Sequence, residues 1–341
     1  FPQSKISQGG TTMYPQISLI RKAAPTPGDL HVDRLLTNIA LGYAQDMGAF
    51  VAHRVFPIVP VQKQSDKYAA YEKADFFRRQ LAKRAPGDPS RPLSFKINTD
   101  ANYFADVLAG NVPIPRETQV NADAPFNPSR DATFLLQQQA MLEREIEWAS
   151  TFFATGIWGT SKTVNPLWDA ASSTPLQDIE TGIKTVLTNT GYKPNKLVVG
   201  YDVWSVLKNH TDIVDRVKYG QTPGNPAMVT PQAIAALAGV DEVLVMEGVK
   251  NTAAEGQAAT MSFISGKHAL LAYAAPRPSI MLPSGGYIFT WTGFLGANAW
   301  GSRISSWWSD ERKSDIQEIE MAYDMKLIAS DVGYFFDVVI S

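Results

Sequence analysis

Between Asn127 and Ala154, apolar residues return at every third or fourth position: Phe134, Leu135, Met141, Leu142, Ile146, Ala149, Phe152 and Phe153. That spacing places them on one stripe of an α-helix, and Asn127-Pro128 supplies a cap followed by proline at the first helical position. The pattern predicts a helix from Pro128 to Ala154, ~40 Å long at 1.5 Å per residue. Downstream the period keeps changing. Leu176–Thr188, Asp202–Lys208, Asp212–Tyr219 and Pro231–Leu237 have helical spacing, whereas Lys196–Val199 and Glu242–Met246 are short apolar runs of strand type. Residues 176–250 therefore read as a compact α/β unit. Thr260–Ile264, Ala269–Tyr273 and Tyr287–Trp291 read as further strands. Ser314–Ile328 and Tyr334–Ile340 alternate like long antiparallel strands, expected to return and pack on the long helix.

The first 28 residues are polar, rich in Gly and Pro, and without a sustained apolar period. They read as an extended arm that cannot fold alone. A short helix is expected from Asp29 through the stretch 33–44, where Leu35, Leu36, Ile39, Ala40 and Tyr43 recur. Val55–Val61 is extended, because Pro57 and Pro60 deny a helix. In residues 62–105 two strand arms, Tyr68–Leu81 and Leu93–Phe104, flank a Pro86-Gly87-Asp88-Pro89 turn. The segment reads as a polar hairpin with little of its own to bury. Since isolated two-stranded hairpins are marginal in water, it is expected to lie across another molecule; an ordinary surface loop is the plainer alternative.

Charge sharpens this picture. The 341-residue chain carries a formal charge of −2, which argues against a dedicated nucleic-acid binder. Residues 63–96 hold nine basic residues against four acidic ones, an excess of +5, so the remainder carries −7. The molecule pairs a basic projection with an acidic body. With 45% hydrophobic residues the chain can bury two subdomain cores, and no apolar run approaches the ~20 residues of a membrane span. The absence of cysteine removes disulfides, thiolate metal sites and a cysteine nucleophile. No secretory signal pattern is visible. A start at Phe1 leaves upstream proteolysis and a simple lack of a few residues as equal alternatives.

Candidate chemistry is sparse, and neither a catalytic residue, a cofactor nor a metal is expected. His31, His53, His210 and His268 lie far apart, with no metal-ligand spacing. Glu143 and Glu147 are four apart on the long helix, without the Glu-x-x-His partner of helical-bundle metal sites, and read as a solvated face paired with Arg144 or an adjoining subunit. Ser265-Gly266-Lys267-His268 lacks the leading glycine and closing hydroxyl of a phosphate loop. Pro283-Ser284-Gly285-Gly286 reads as a tight turn. The eight tryptophans suit core and interface packing better than base stacking.

The order of arm, basic hairpin, isolated long helix, α/β unit and returning strands resembles the Hong Kong phage-type fold of tailed-phage major capsid proteins. The segments Asp131–Leu135 through Glu145–Ala149, Gly156–Thr160, Leu197–Trp204, Asp212–Gly220 and Ala322–Lys326 carry the resemblance, which runs from about residue 33 to 336. It implies an α+β fold with an N-terminal arm at 1–58 and an extended hairpin loop at 59–122. A peripheral domain with a long spine helix would take 123–175 and 301–341, and an α/β axial domain 176–300. It further implies other copies of the chain as partners in hexamers and pentamers, together with scaffolding, portal and decoration proteins and non-specific contact with packaged double-stranded DNA, in a virion assembled in a bacterial cytoplasm. On this reading Lys73, Arg78, Arg79, Arg84 and Arg91 contact acidic residues of a neighbour. Some family members crosslink lysine to asparagine; no spacing here identifies such a set, and none is expected. An encapsulin-type shell and, less favoured, an α/β hydrolase with an inserted loop are the alternatives.

Overall fold

The computed structural model describes residues 45–68, 70–71, 73–122, 126–220, 229–278, 282–296 and 301–341. The arm expected at 1–28 and the helix expected from Asp29 through the stretch 33–44 lie outside these residues.

Helix α4 (Pro128–Phe152) begins as predicted, with the Asn127 side chain accepting from the Arg130 N–H at 3.1 Å and Pro128 in the first turn. Its buried face differs from the predicted stripe. Ala132, Leu136, Ala140, Arg144, Glu145, Trp148, Ala149 and Phe152 point inward, while Phe134 and Leu135 are about half exposed. Small alanines on the inner face let a sheet approach closely, and two large side chains are left outside.

That sheet is built around β15 (Ser314–Leu327). Along one edge β15 pairs antiparallel with β6 (Asp106–Pro115), and along the other with β14 (Ser302–Ser309) and then β13 (Gly286–Trp291). The short strand β1 (Ile58–Val61) adds parallel to β13. Neither β6 nor β14 was anticipated from the sequence. Alternate residues of β15, Ile319, Met321, Tyr323 and Met325, face the first core with α4, and Gln317 on that face bonds Ser129 and Thr133.

A second sheet has the order β7 (Thr160–Thr163), β16 (Gly333–Asp337), β12 (Ala269–Ala272), β8 (Lys196–Gly200), β9 (Glu242–Met246). Its interior strands are continuous apolar runs because both faces are buried. Leu197, Val199, Val243, Leu271 and Phe336 face a core built with α5 (Pro175–Thr190), α6 (Tyr201–Asn209), α7 (Thr211–Gly220) and α8 (Pro231–Ala238). Val198, Leu244, Leu270 and Phe335 face the other way, into the core containing Trp148, Phe152 and Phe153. The two cores thus share one sheet. The expectation that both C-terminal strands pack on the long helix divides accordingly: β15 does, whereas β16 joins the second sheet and meets the residue that follows α4, Phe335 against Phe153 with centroids 5.6 Å apart.

The segment 45–58 stitches these parts together. Phe56, fully buried, meets Trp148, Phe152 and Trp158. Its one-turn helix α1 (Ala52–Val55) sits against α4, and Gln45 exchanges two hydrogen bonds with the backbone of Val249. Val249 opens β10 (Val249–Asn251), which pairs with β11 (Met261–Phe263); two further short helices, α3 (Arg116–Val120) and α9 (Thr292–Leu295), complete the body.

Candidate assembly interface

The hairpin between β1 and β6 has a firm root and an unsupported tip. At the root, β2 (Ser65–Lys67) pairs with β5 (Asn102–Phe104), and β3 (Ala70–Tyr71) with β4 (Ile97–Asn98). Tyr103 and Tyr68 stack on Phe289 at 4.7 and 5.6 Å, and the Phe104 N–H donates to Asp324 at 2.8 Å. Beyond β3 the two expected strand arms are not continuous. Lys73–Phe77 forms one helical turn, α2, and 78–96 has no ladder, since Pro86, Pro89 and Pro92 remove donors from the arms. The arms splay around a gap of about 260 Å³ and close through a turn in which the Asp88 N–H reaches the Ala85 carbonyl at 3.2 Å.

The hairpin is not polar, as its charge count suggested. Phe76, Phe77, Leu81, Leu93, Phe95 and Ile97 are 49–81% exposed. Such a concentration of open apolar side chains on one projection marks an interaction surface. Among them run the basic residues. Arg78, Arg79, Arg84 and Arg91 are all exposed, and Arg84 reaches only the Asp88 carbonyl, at 3.2 Å. Lys73 differs from the others: it forms an ion pair with Asp331 of its own chain. Nearby, the Phe77 ring faces the left-handed Gly191 that ends α5, so closely that a Cβ there would lie 3.1 Å from it. Sequence spacing brought the five cations together as one group; the structure separates one at the root from four on the tip.

A second apolar surface was missed from the sequence. Trp307 and Trp308 on the edge strand β14 are 42% and 43% exposed, and Val107 and Leu108 on the opposite edge strand β6 are also open. The tandem tryptophans were the available signal, because Trp148, Trp158, Trp168 and Trp204 are all buried.

Constellations that resemble chemistry resolve into structural contacts. His210 Nε2 lies 2.9 Å from Ser173 Oγ, buried. Its Nδ1 accepts the Asp212 N–H at 3.2 Å, so Nε2 carries the proton and donates to the serine, whose own hydrogen goes to the Ala170 carbonyl at 2.7 Å. That polarity is the reverse of nucleophile activation. Glu147 accepts the Tyr323 hydroxyl at 2.6 Å, and the Arg144 guanidinium lies 5.2 Å over the Tyr323 ring. The expected solvated carboxylate face holds at Glu143, which is exposed, and is corrected at Glu147, which belongs to the α4–β15 packing; Arg144 is buried, with its pKa lowered by that burial. Among the described residues no cluster of His, Asp and Glu is arranged to hold a metal, and no helix is long and apolar enough to cross a membrane.

No protein-family model matches the chain. The major capsid protein of Pseudomonas phage JBD67 is 28% identical over 323 residues, covering 92% of this chain and 97% of that protein. That of Burkholderia phage BcepMu is 25% identical over 224 residues, covering 64% and 69%. The chain is a homologue of phage major capsid proteins. Solved structures agree on the Hong Kong phage-type capsid fold. A phage-related protein from Bordetella bronchiseptica superposes with a TM-score of 0.65 at 22% identity, over 90% of this chain and 97% of that one. The capsid protein of cyanophage P-SCSP1u gives 0.59 at 10% identity over 97% and 100%, and an encapsulin from Synechococcus elongatus gives 0.54 at 12% over 93% and 96%.

Proposed function

We propose that the chain is the shell subunit of a tailed phage, assembling with copies of itself in hexamers and pentamers around double-stranded DNA. The observation that carries this reading is the hairpin, which has six exposed apolar side chains along its length and, beyond its anchored root, four arginines that reach no carboxylate. A surface of this kind is costly in isolation and favourable once a neighbour covers it. Arg78, Arg79, Arg84 and Arg91 then meet acidic residues on the body of the next copy, which carries the compensating negative charge. Exposed pairs of this kind contribute only ~0.2–1 kcal/mol each; they set register and encounter, while buried apolar area and multiplicity hold the shell.

The working parts are the arm (1–58), hairpin (59–122), peripheral region (123–175 with 301–341) and axial region (176–300). Scaffolding, portal and decoration proteins are further partners in this reading, and bacterial cytoplasm is the place of assembly. Both curated relatives being phage capsid proteins favours this over an encapsulin role. Negative-stain microscopy and size-exclusion chromatography of the purified chain test it: closed shells are expected, with nuclease-protected DNA in particles from infected cells. A stable monomer that never assembles, or shells filled only with an enzyme cargo, would overturn it.

A further inference from the structure

The hairpin is held to its own subunit at two separate points. Its root rests on the first sheet, through Phe289 of β13 and Asp324 of β15. Farther out, α2 meets the unit built on the second sheet. Lys73 and Phe77 stand four residues apart and so share one face of the helical turn. Lys73 pairs with Asp331, and the Phe77 ring lies over Gly191. Asp75 and Phe76 turn to the opposite arm: the Asp75 carboxylate accepts the Lys96 N–H at 2.9 Å, and the rings of Phe76 and Phe95 are 6.4 Å apart. One turn of helix thus ties the arms together with one side and meets the body with the other. We propose that α2 is a foot, seating the hairpin on its own subunit and fixing the direction in which the hairpin reaches the next copy. The second half of this inference rests on the reading of the hairpin as a contact between copies.

Both partners on the body are firmly mounted. Asp331 sits in the turn between β15 and β16, where the Gly159 N–H donates to the Ser330 carbonyl at 2.9 Å and the Tyr273 N–H to that of Val332 at 3.1 Å. A Cβ on Gly159 would lie 2.9 Å from the Asp331 Cα, so the turn has no slack beneath it. Gly191 closes α5 in the left-handed conformation, with its N–H on the Leu187 carbonyl at 2.8 Å. The absence of a side chain there lets the Phe77 ring come down on the helix end.

The foot also accounts for the break in the expected strand arm. In an extended chain Lys73 and Phe77 would be ~13 Å apart, whereas the helical turn brings their side chains to ~5–6 Å and onto one small seat. The contacts themselves are light. The side chains of Lys73 and Asp331 are each about half exposed, and Phe77 is more exposed still. Such contacts add little to the stability of the subunit. Their effect is geometric, because a projection held only at its root can swing, and a second contact away from the root removes that freedom.

The chain has no cysteine, so two introduced ones can carry spin labels. Labels at Ala74→Cys on α2 and Glu180→Cys on α5, both exposed positions, report the seat by pulsed dipolar spectroscopy of the full chain before assembly. With no further change the pair should give one narrow distance. Lys73→Asp sets like charges against each other at Asp331 without weakening α2, since an acidic residue suits the first turn of a helix; the narrow distance should be lost. Adding Asp331→Lys should restore it, and Phe77→Ser alone should broaden it. A broad distribution in the starting pair, or an unchanged narrow one in both Lys73→Asp and Phe77→Ser, overturns the foot. Electron microscopy of particles reads the consequence for assembly: Lys73→Asp should give mixed diameters and the charge swap a single one. Uniform Lys73→Asp particles overturn the fixing of direction, whereas a starting chain that forms no shells strikes the shell reading and leaves the spin-label result to decide the foot.

Discussion

Phe56 lies so close on Gly286 that a Cβ on the glycine would sit 2.4 Å from two ring carbons and 2.7 Å from the Lys326 carbonyl. The contact joins the segment after α1 to the strand it runs beside, and neither neighbour can give: the ring is fully buried, and the carbonyl belongs to β15. Gly286→Ala is expected to cost about 3 kcal/mol, the upper range of overpacking. Chemical denaturation of the purified subunit checks this, and a loss below ~1 kcal/mol would show that the strand can move aside.

Trp148 stands at the meeting point of the first core, edge-on to Phe56 at 5.9 Å and stacked with Phe153 at 5.9 Å, with no exposed surface. Trp148→Ala should cost about 3–5 kcal/mol through lost burial and the cavity left behind. Because both cores share a sheet, the unfolding transition should shift as one. Two separate midpoints would contradict the shared-sheet coupling.

On the hairpin, charge and apolar surface are separable. Reversing Arg78, Arg79 and Arg84 together to Glu should slow assembly and reduce its dependence on salt, since exposed charges act mainly on encounter. Replacing Phe76, Leu81 and Phe95 with Ser should leave the subunit folded with an unchanged melting temperature but abolish stable shells. Light scattering during assembly distinguishes the two; unchanged particle yield in both variants would remove the hairpin from the interface. Lys73→Ala, by contrast, breaks a contact within the chain between half-exposed groups and should cost less than about 1 kcal/mol.

Tyr323 is buried, donates to Glu147, and has its pKa pushed up first by burial and then by that carboxylate. Unfolding frees the phenol to ionise at its ordinary value of 10.0, so the folded state retains a proton that the unfolded state loses. Stability should therefore decline as pH rises above ~10. Tyr323→Phe should be less stable at neutral pH, where the hydrogen bond is lost, and show a shallower alkaline decline. An identical alkaline slope in wild type and variant would assign the decline elsewhere.

Where the sequence could be read and where it could not has a physical basis. Helices α4 to α8 and strands β8, β9, β12 and β15 were legible because each has a buried face and a period to match. Strand β6 escaped notice because most of its side chains are exposed or half-exposed, so Asp106, Gly110 and Asn111 give it no hydrophobic alternation; its partner β15 supplies the order. Strand β14 is hidden for the same reason, with Ser302, Ser305 and Ser306 between its apolar residues. Of the interface, the cations were visible as a charge count, but the exposure of Phe76, Phe77 and Phe95 was not, because aromatic residues in a sequence read as core. The inward Glu145 was equally hidden, since its burial depends on a segment some 94 residues earlier.

The pairing of β6 with β15 joins residues about 200 positions apart, and β1 with β13 spans a similar distance. During synthesis the ribosome must therefore deliver nearly the whole chain before the sheet beneath the hairpin can close. A nascent or prematurely terminated chain has no seat for the hairpin root. Copies cut short before β15 lack the strand with which β6, β13 and β14 all pair.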